Sequence, residues 1–241
     1  MELIFIFIFG IVIGSFLNVV IYRIPKDESI VFPASKCQSC QTPLKWYHNI
    51  PIFSWLFLKG KCYYCNDSIS KQYPIIEFIT GLIFILVYSK LGLTWHMGVV
   101  AIVFTTLLAL TMIDFKYMAI PDSLNLLALT LAMVQPDFLT GIENALLAAG
   151  GFSLFRFYLS YALNKEAMGE GDIMIAGTMG ALLGFPLFFF ALFLSALLAI
   201  VPSLLAKDNM VPFVPFLALA TFIVFLYDTW FAKLGLWILN G

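Results

Sequence analysis

Long apolar stretches, broken only by short polar interruptions, fill most of the chain. The first runs from Leu3 to Tyr22, interrupted by Gly10, Gly14, Ser15 and Asn18. Pro74–Tyr88, Met97–Ile113, Leu124–Val134 and Ile142–Leu163 follow, then Asp172–Phe185 and Leu187–Leu205, which meet at Pro186, and finally Val211–Tyr227 or beyond. A bilayer core of about 30 Å needs a helix of about 20 residues. The pattern therefore predicts an all-α polytopic membrane protein of about eight transmembrane helices, the fourth being short unless it begins at Pro121. One polar segment, Arg23 to Lys71, is long enough to form a loop domain. Three parts result: a first transmembrane helix over 1–22, a loop over 23–73, and a helical core over 74–241. No internal repeat of the kind that builds many transporters is evident.

Composition sharpens this picture. Hydrophobic residues make up 62% of the 241 and charged ones only 11%, which leaves no material for a sizeable water-soluble core besides the spans. Basic residues neither dominate nor follow one helix, which argues against nucleic acid as a partner; membrane lipids are the implied surroundings. The placement of charge says more than its net value of -1. The loop holds Arg23, Lys26, Lys36, Lys45, Lys59, Lys61 and Lys71 against Asp27, Glu28 and Asp67. With Lys116, Lys165 and Lys207, ten of the 13 cations fall on one assigned side, Lys90 and Lys233 on the other, and Arg156 within a span. By the positive-inside rule the loop is cytoplasmic and the N-terminus outside. The first helix has neither a basic start nor a small-residue cleavage site, so it reads as an uncleaved anchor. Asn18, with Gly14 and Ser15, is placed to hydrogen-bond a neighbouring helix.

All four cysteines lie in the loop, as Cys37-Gln-Ser-Cys40 and Cys62-Tyr-Tyr-Cys65. Two C-x2-C pairs at this separation fit a tetrahedral structural zinc site. Two disulfides are the alternative, but a cytoplasmic compartment keeps thiols reduced. The loop is poor in aliphatic residues, so metal binding would supply much of its folding energy. His48 lies between the pairs and reads as an ordinary surface histidine, since four thiolates already saturate the ion.

The remaining chemistry is acidic. Asp172 follows the glycine-opened turn Met168-Gly169-Glu170-Gly171 and precedes an apolar run in which Gly177, Gly180, Ala181 and Gly184 have small-xxx-small spacing. Gly169 and Gly171 leave that turn bare of side chains, so a second backbone could approach. Asp172 alone could be a helix cap. Asp114 closes the third apolar stretch, at a helix C-terminus where the macrodipole disfavours negative charge, and it falls at the same face as Asp172. Pro121-Asp122-Ser123 reads as a helix start, with Asp122 as its cap. Two carboxylates meeting at one depth could share a proton and act as general base and general acid on a peptide bond. The dipoles assign Asp172 as the ionised base and Asp114 as the acid. Arg156, deep in a span, needs a partner, and Glu77 is one possibility. Glu166 and Glu170 are placed to attract a cationic substrate segment. A proton-coupled transporter relaying through Asp114, Asp172, Glu77 and Arg156 is the alternative function, and a zinc-bearing assembly scaffold a second.

The motifs Gly14–Pro25 (GSFLNVVIYRIP), Asn49–Cys62 (NIPIFSWLFLKGKC), Ile69–Gly81 (ISKQYPIIEFITG), Ile113–Asp122 (IDFKYMAIPD), Met168–Asp172 (MGEGD) and Val211–Ala220 (VPFVPFLALA) are in an order that resembles type IV prepilin peptidases over nearly the whole chain. The resemblance implies a GxGD-type aspartic endopeptidase of the bacterial inner membrane. Such an enzyme removes the basic leader of prepilins or pseudopilins at the cytoplasmic face. It matches Asp114 and Asp172 to the catalytic pair, Gly169 and Gly171 to the active-site loop, and Cys37, Cys40, Cys62 and Cys65 to the family's zinc loop. Many members also methylate the new N-terminus with S-adenosylmethionine, for which no glycine-rich fingerprint is present. Two positions depart from the family pattern: Gln38 stands for a proline, and Met174 for the lysine of GxGDxK.

Overall fold

A computed structural model describes residues 1–164, 169–205 and 211–240. Among these, regular structure is helical: α1 (Glu2–Arg23), α2 (Phe53–Phe57), α3 (Gln72–Leu91), α4 (Trp95–Tyr117), α5 (Asp122–Ala132), α6 (Phe138–Leu163), α7 (Glu170–Leu183), α8 (Leu187–Leu205), α9 (Val214–Leu226) and α10 (Asp228–Asn240). Strand-like pairing is limited to two isolated bridges, Lys36 with Pro43 and Lys61 with Ser68.

Helices α1, α3, α4, α6 and α8 are long and apolar enough to cross a membrane, and a sixth crossing is possible if α9 and α10, bent by 86°, count as one broken span. The other expected spans are shorter. With 11 residues in α5 and 14 in α7, they measure about 17 and 21 Å at 1.5 Å per residue, less than the hydrocarbon thickness. Local sequence explains both. Helix α5 starts only after Pro121 and ends ahead of Gln135-Pro136, while α7 opens at the Gly169 turn and stops at Gly184, whose φ of +65° ends the helix before Pro186. The last apolar stretch likewise does not run straight, but turns sharply between Leu226 and Asp228.

The chain divides into two compact units, Met1–Gly92 and Leu93–Gly241. In the first, α1 packs along α3 through small residues. A Cβ at Gly14 would lie 2.7 Å from Glu77 Cα, and one at Gly10 would lie 2.8 Å from Gly81 Cα, so the two backbones touch. Asn18 Nδ2 donates to the carbonyls of Gly14 and, across the pair, Tyr73, each at 3.2 Å, the expected interhelical bond. Arg23 is buried and donates to the carbonyls of Ser29 and Pro33, both at 2.8 Å, folding the loop's first residues back on the helix end.

In the second unit the core lies on α4 and α7, where Leu110, Ile113, Ile175 and Met179 are fully buried. Helix α6 packs on α7 through the glycine spacing read in the sequence; a Cβ at Gly180 would come within 2.5 Å of Ala148 Cβ and the Asn144 carbonyl. By contrast α6 and α8 carry rows of exposed apolar side chains, among them Leu146, Leu154, Phe157, Phe189 and Phe193. With lipid as solvent such surfaces are the expected exterior.

Candidate active site and metal centre

Both aspartates are buried, Asp114 with 6% and Asp172 with 8% of its surface exposed. Asp172 is the third residue of α7, and its Oδ2 lies beside Gly169, the residue before the helix, 3.5 Å from where a Cβ on that glycine would stand. An acid at the third helical position faces the unpaired N–H groups of the helix start. Asp114 lies in the last turn of α4, which continues to Tyr117 rather than stopping at the aspartate. Its Oδ2 accepts the N–H of Val214, the first residue of α9, at 3.2 Å. Asp172 is near enough for its charge to act on Asp114.

This geometry changes the electrostatic expectation. The carboxylate of Asp114 does not suffer the end of its own helix alone, because it reaches the positive end of another. Each acid therefore meets a helix N-terminus, and the dipoles do not divide the pair into a base and an acid. The first residues of α7, ahead of Asp172, are held from outside. A Cβ at Gly171 would fall 2.8 Å from Ile120 Cδ1, so the α4–α5 connection lies directly on that glycine. Asn125 of α5, fully buried, donates from Nδ2 to the Gly171 carbonyl at 2.8 Å, while its Oδ1 is buried without a partner. Nothing in the linear pattern singles out Asn125 except that an amide stands inside an otherwise apolar helix, the signal that marks Asn18.

Other residues sit differently from expectation. Arg156 pairs with Glu170, its Nη1 3.3 Å from Oε1, and is 21% exposed rather than fully buried. Its partner is thus not Glu77. The Glu77 carboxylate accepts the Ile52 N–H at 2.6 Å. Asp122 does open α5, but as its first helical residue and exposed; the cap position is held by Pro121. Glu166, the other acid proposed to meet a cationic segment, lies outside the described residues, as do Lys165, Met168 and Lys207.

In the loop of the first unit the four Sγ atoms lie within 4.8 Å of one another, and Cys37 Sγ is 3.9 Å from Cys65 Sγ. Sulfurs placed tetrahedrally about 2.3 Å from a zinc ion are about 3.8 Å apart, so the cluster fits a metal, and all four cysteines are free. The two halves are one hairpin built twice. Cys37 and Cys62 each accept the N–H of the residue four further on, Gln41 and Asn66, both at 3.0 Å. These two have φ of 58° and 59°. Cys37 and Cys62 then donate to the carbonyls of Thr42 and Asp67 at 3.0 and 2.8 Å. The only linear trace of this repeat is Lys-Cys-x2-Cys at Lys36 and again at Lys61. The Ser39 hydroxyl bonds the Asp67 carboxylate across the two halves. The Thr42 hydroxyl and N–H beside Cys40 draw its thiol down to about 6 and the N–H groups of Cys65 and Tyr64 lower Cys62, while burial and the neighbouring cysteines push Cys65 up to about 12, so without an ion the four do not all ionise together. His48 is not a member of the cluster; it packs against Tyr47, Tyr63 and Tyr64.

Apolar helices around two buried acids, with a four-cysteine loop, define a multi-pass membrane protein that has the parts of an acid–base site. Residues 8–91 match the bacterial peptidase A24 N-terminal domain, and residues 101–204 match the type IV leader peptidase family. A protein of Myxococcus xanthus named prepilin leader peptidase/N-methyltransferase is 37% identical over 75% of this chain, which spans 56% of that relative's length. Proteins of the same name from Stutzerimonas stutzeri and Neisseria gonorrhoeae are 32% and 34% identical over 91% and 90% of the chain, covering 89% and 88% of theirs. The chain belongs to the type IV leader peptidase family. No solved structure matches it.

Proposed function

We propose that Asp114 and Asp172 are the catalytic pair of a membrane-embedded aspartic endopeptidase that cleaves the leader from prepilins or pseudopilins. The observation that carries this reading is that two buried carboxylates, 58 positions apart in sequence, each stand at a helix start, with Asp172 near enough for its charge to act on Asp114. Two acids so placed resist ionising together and titrate as a unit. In the reactive form one proton is held between them. The ionised carboxylate takes a proton from water as the water oxygen bonds to the scissile carbonyl carbon, and the protonated one donates to the carbonyl oxygen. Collapse of the tetrahedral intermediate returns that proton, the amide nitrogen takes one from the first carboxyl, and the C–N bond breaks.

The same reading takes the cysteine-bound metal as a structural zinc, with the ion held by Cys37, Cys40, Cys62 and Cys65. It places the N-terminus outside, the loop and the aspartates at the cytoplasmic face of a bacterial inner membrane, and eight crossings in all, α5 and α7 being accommodated by local thinning. The relatives' names add N-methylation of the new N-terminus, with S-adenosylmethionine as donor; no residue here is assigned to it. Nothing supports the proton-coupled transporter, and Arg156 and Glu77 have other local partners.

The test is a prepilin-like peptide incubated with the reconstituted protein and followed by mass spectrometry. Asp114→Asn and Asp172→Asn should each lower leader release by at least about 10²–10⁴-fold with helix content and metal content unchanged. Substantial cleavage by either folded variant would reject the pair. With S-adenosylmethionine present, a product heavier by one methyl group would establish the second activity.

A further inference from the structure

The metal loop has an apolar face that its own fold does not cover. Ile50 to Leu58 reads IPIFSWLFL, and within it α2 turns Trp55 inward. The indole N–H donates to the Ile69 carbonyl at 3.1 Å, and the ring lies over Gly60, where a Cβ would come within 2.8 Å of it. Turning Trp55 in turns Phe53, Leu56 and Phe57 out, and these are 55%, 56% and 82% exposed, near the similarly exposed Trp46 and Tyr63. In water so large an apolar group would be a liability or a binding surface.

Two observations identify what covers it. The first is depth. The residue that precedes α2, Ile52, gives its N–H to Glu77, the sixth residue of α3, at 2.6 Å. The strip is thereby pinned beside the opening turns of a helix long and apolar enough to span a bilayer. Ile75 and Phe78 of α3 point outward at the same end, so the face is continuous with a lipid-facing flank. The second is charge. No acid occurs between Glu28 and Asp67, whereas Lys36, Lys45, Lys59 and Lys61 do and are all exposed. Aromatic side chains interleaved with lysines beside a span are the pattern of the membrane interface, and juxtamembrane cations are drawn to anionic headgroups.

We propose that α2 and the aromatic residues beside it are seated in the headgroup layer of an anionic bilayer, with Lys45, Lys59 and Lys61 on lipid phosphates. The bilayer surface then sets the level of the metal loop through the bond from Ile52 to Glu77. The seat needs no substrate and holds whatever the aspartates do.

The experiment uses the full chain in nanodiscs, carrying the photoreactive residue benzoylphenylalanine in place of Phe57, Leu56 or, as a control on an exposed residue away from the strip, Glu28. Irradiation and mass spectrometry should give acyl-chain adducts at 57 and 56 and none at 28. Yields should be several-fold higher in phosphatidylglycerol than in phosphatidylcholine. The combined Lys45→Gln, Lys59→Gln and Lys61→Gln variant, checked for retained metal, should lose that preference. Adducts to a second copy of the chain, or no lipid adduct at either strip position, would overturn the proposal. Equal yields in both lipids would overturn the role of the lysines.

Discussion

Asn125 and Gly171 are single residues that fix the packing of the segment immediately before Asp172. Removing the Asn125 amide takes away one hydrogen bond to the Gly171 carbonyl, a net loss of about 0.5–1.5 kcal/mol. Because that carbonyl belongs to the segment before Asp172, Asn125→Leu should lower kcat for leader release more than it raises KM, with a thermal midpoint reduced by several degrees. A loss of stability with kcat intact would show that the bond serves the fold alone. Gly171→Ala is a different fault, since the new methyl meets Ile120 at 2.8 Å. Overpacking of this kind costs about 1–3 kcal/mol. The damage should be partly relieved by adding Ile120→Ala, which a double-mutant cycle reads as a favourable coupling. Were the glycine required for its backbone freedom or for substrate approach instead, the second substitution would restore nothing. The Arg156–Glu170 pair, with Glu170 83% exposed, should contribute little, about 0–1 kcal/mol.

At the scale of elements, the closeness of α1 and α3 gives a sharp contrast between glycines. Gly14→Ala would drive a methyl into the backbone of Glu77, which cannot swing aside, whereas a Cβ at Gly98 in α4 meets nothing within 4 Å. Thermal unfolding should therefore show Gly14→Ala destabilised, and Gly98→Ala unchanged or raised by about 0.5–1 kcal/mol through helix propensity. These elements were legible in the sequence to the extent that apolar length specifies them. Helices α1, α3, α4, α6 and α8 fall where the hydrophobic runs predict, and Asp114, Asp172 and the cysteines are visible because charge and thiol spacing stand out locally. What could not be read is what depends on pairing between distant residues. Val214 bonding to Asp114 reverses an inference drawn from the end of α4 alone. Glu170 answers Arg156 from 14 positions further on, and the Asn125 bond links positions 46 apart. Periodicity fixes where a helix runs; it carries no information about which neighbour's terminus points at a carboxylate.

For the molecule as a whole, helices and metal loop draw on different sources of stability. The helices are secured by tight packing, backbone against backbone at Gly14 and Gly180, and by a buried core on α4 and α7. Between Lys26 and Gln72 the regular structure amounts to α2 and one short 3-10 turn at Trp46–Asn49, and the paired hairpins close around their thiols. Removing the metal should accordingly unfold the loop and little else. Treatment with a strong chelator should leave far-UV circular dichroism nearly unchanged, because few helical residues are lost, while new protease cuts appear within 27–71. Restoring zinc, but not magnesium, should suppress those cuts, since thiolates select a softer ion. Cys37→Ser should reproduce the chelated cleavage pattern without added chelator. A helical signal that collapsed with the metal would mean that the ion organises the spans as well, and an unchanged digest would mean that the hairpins close without it.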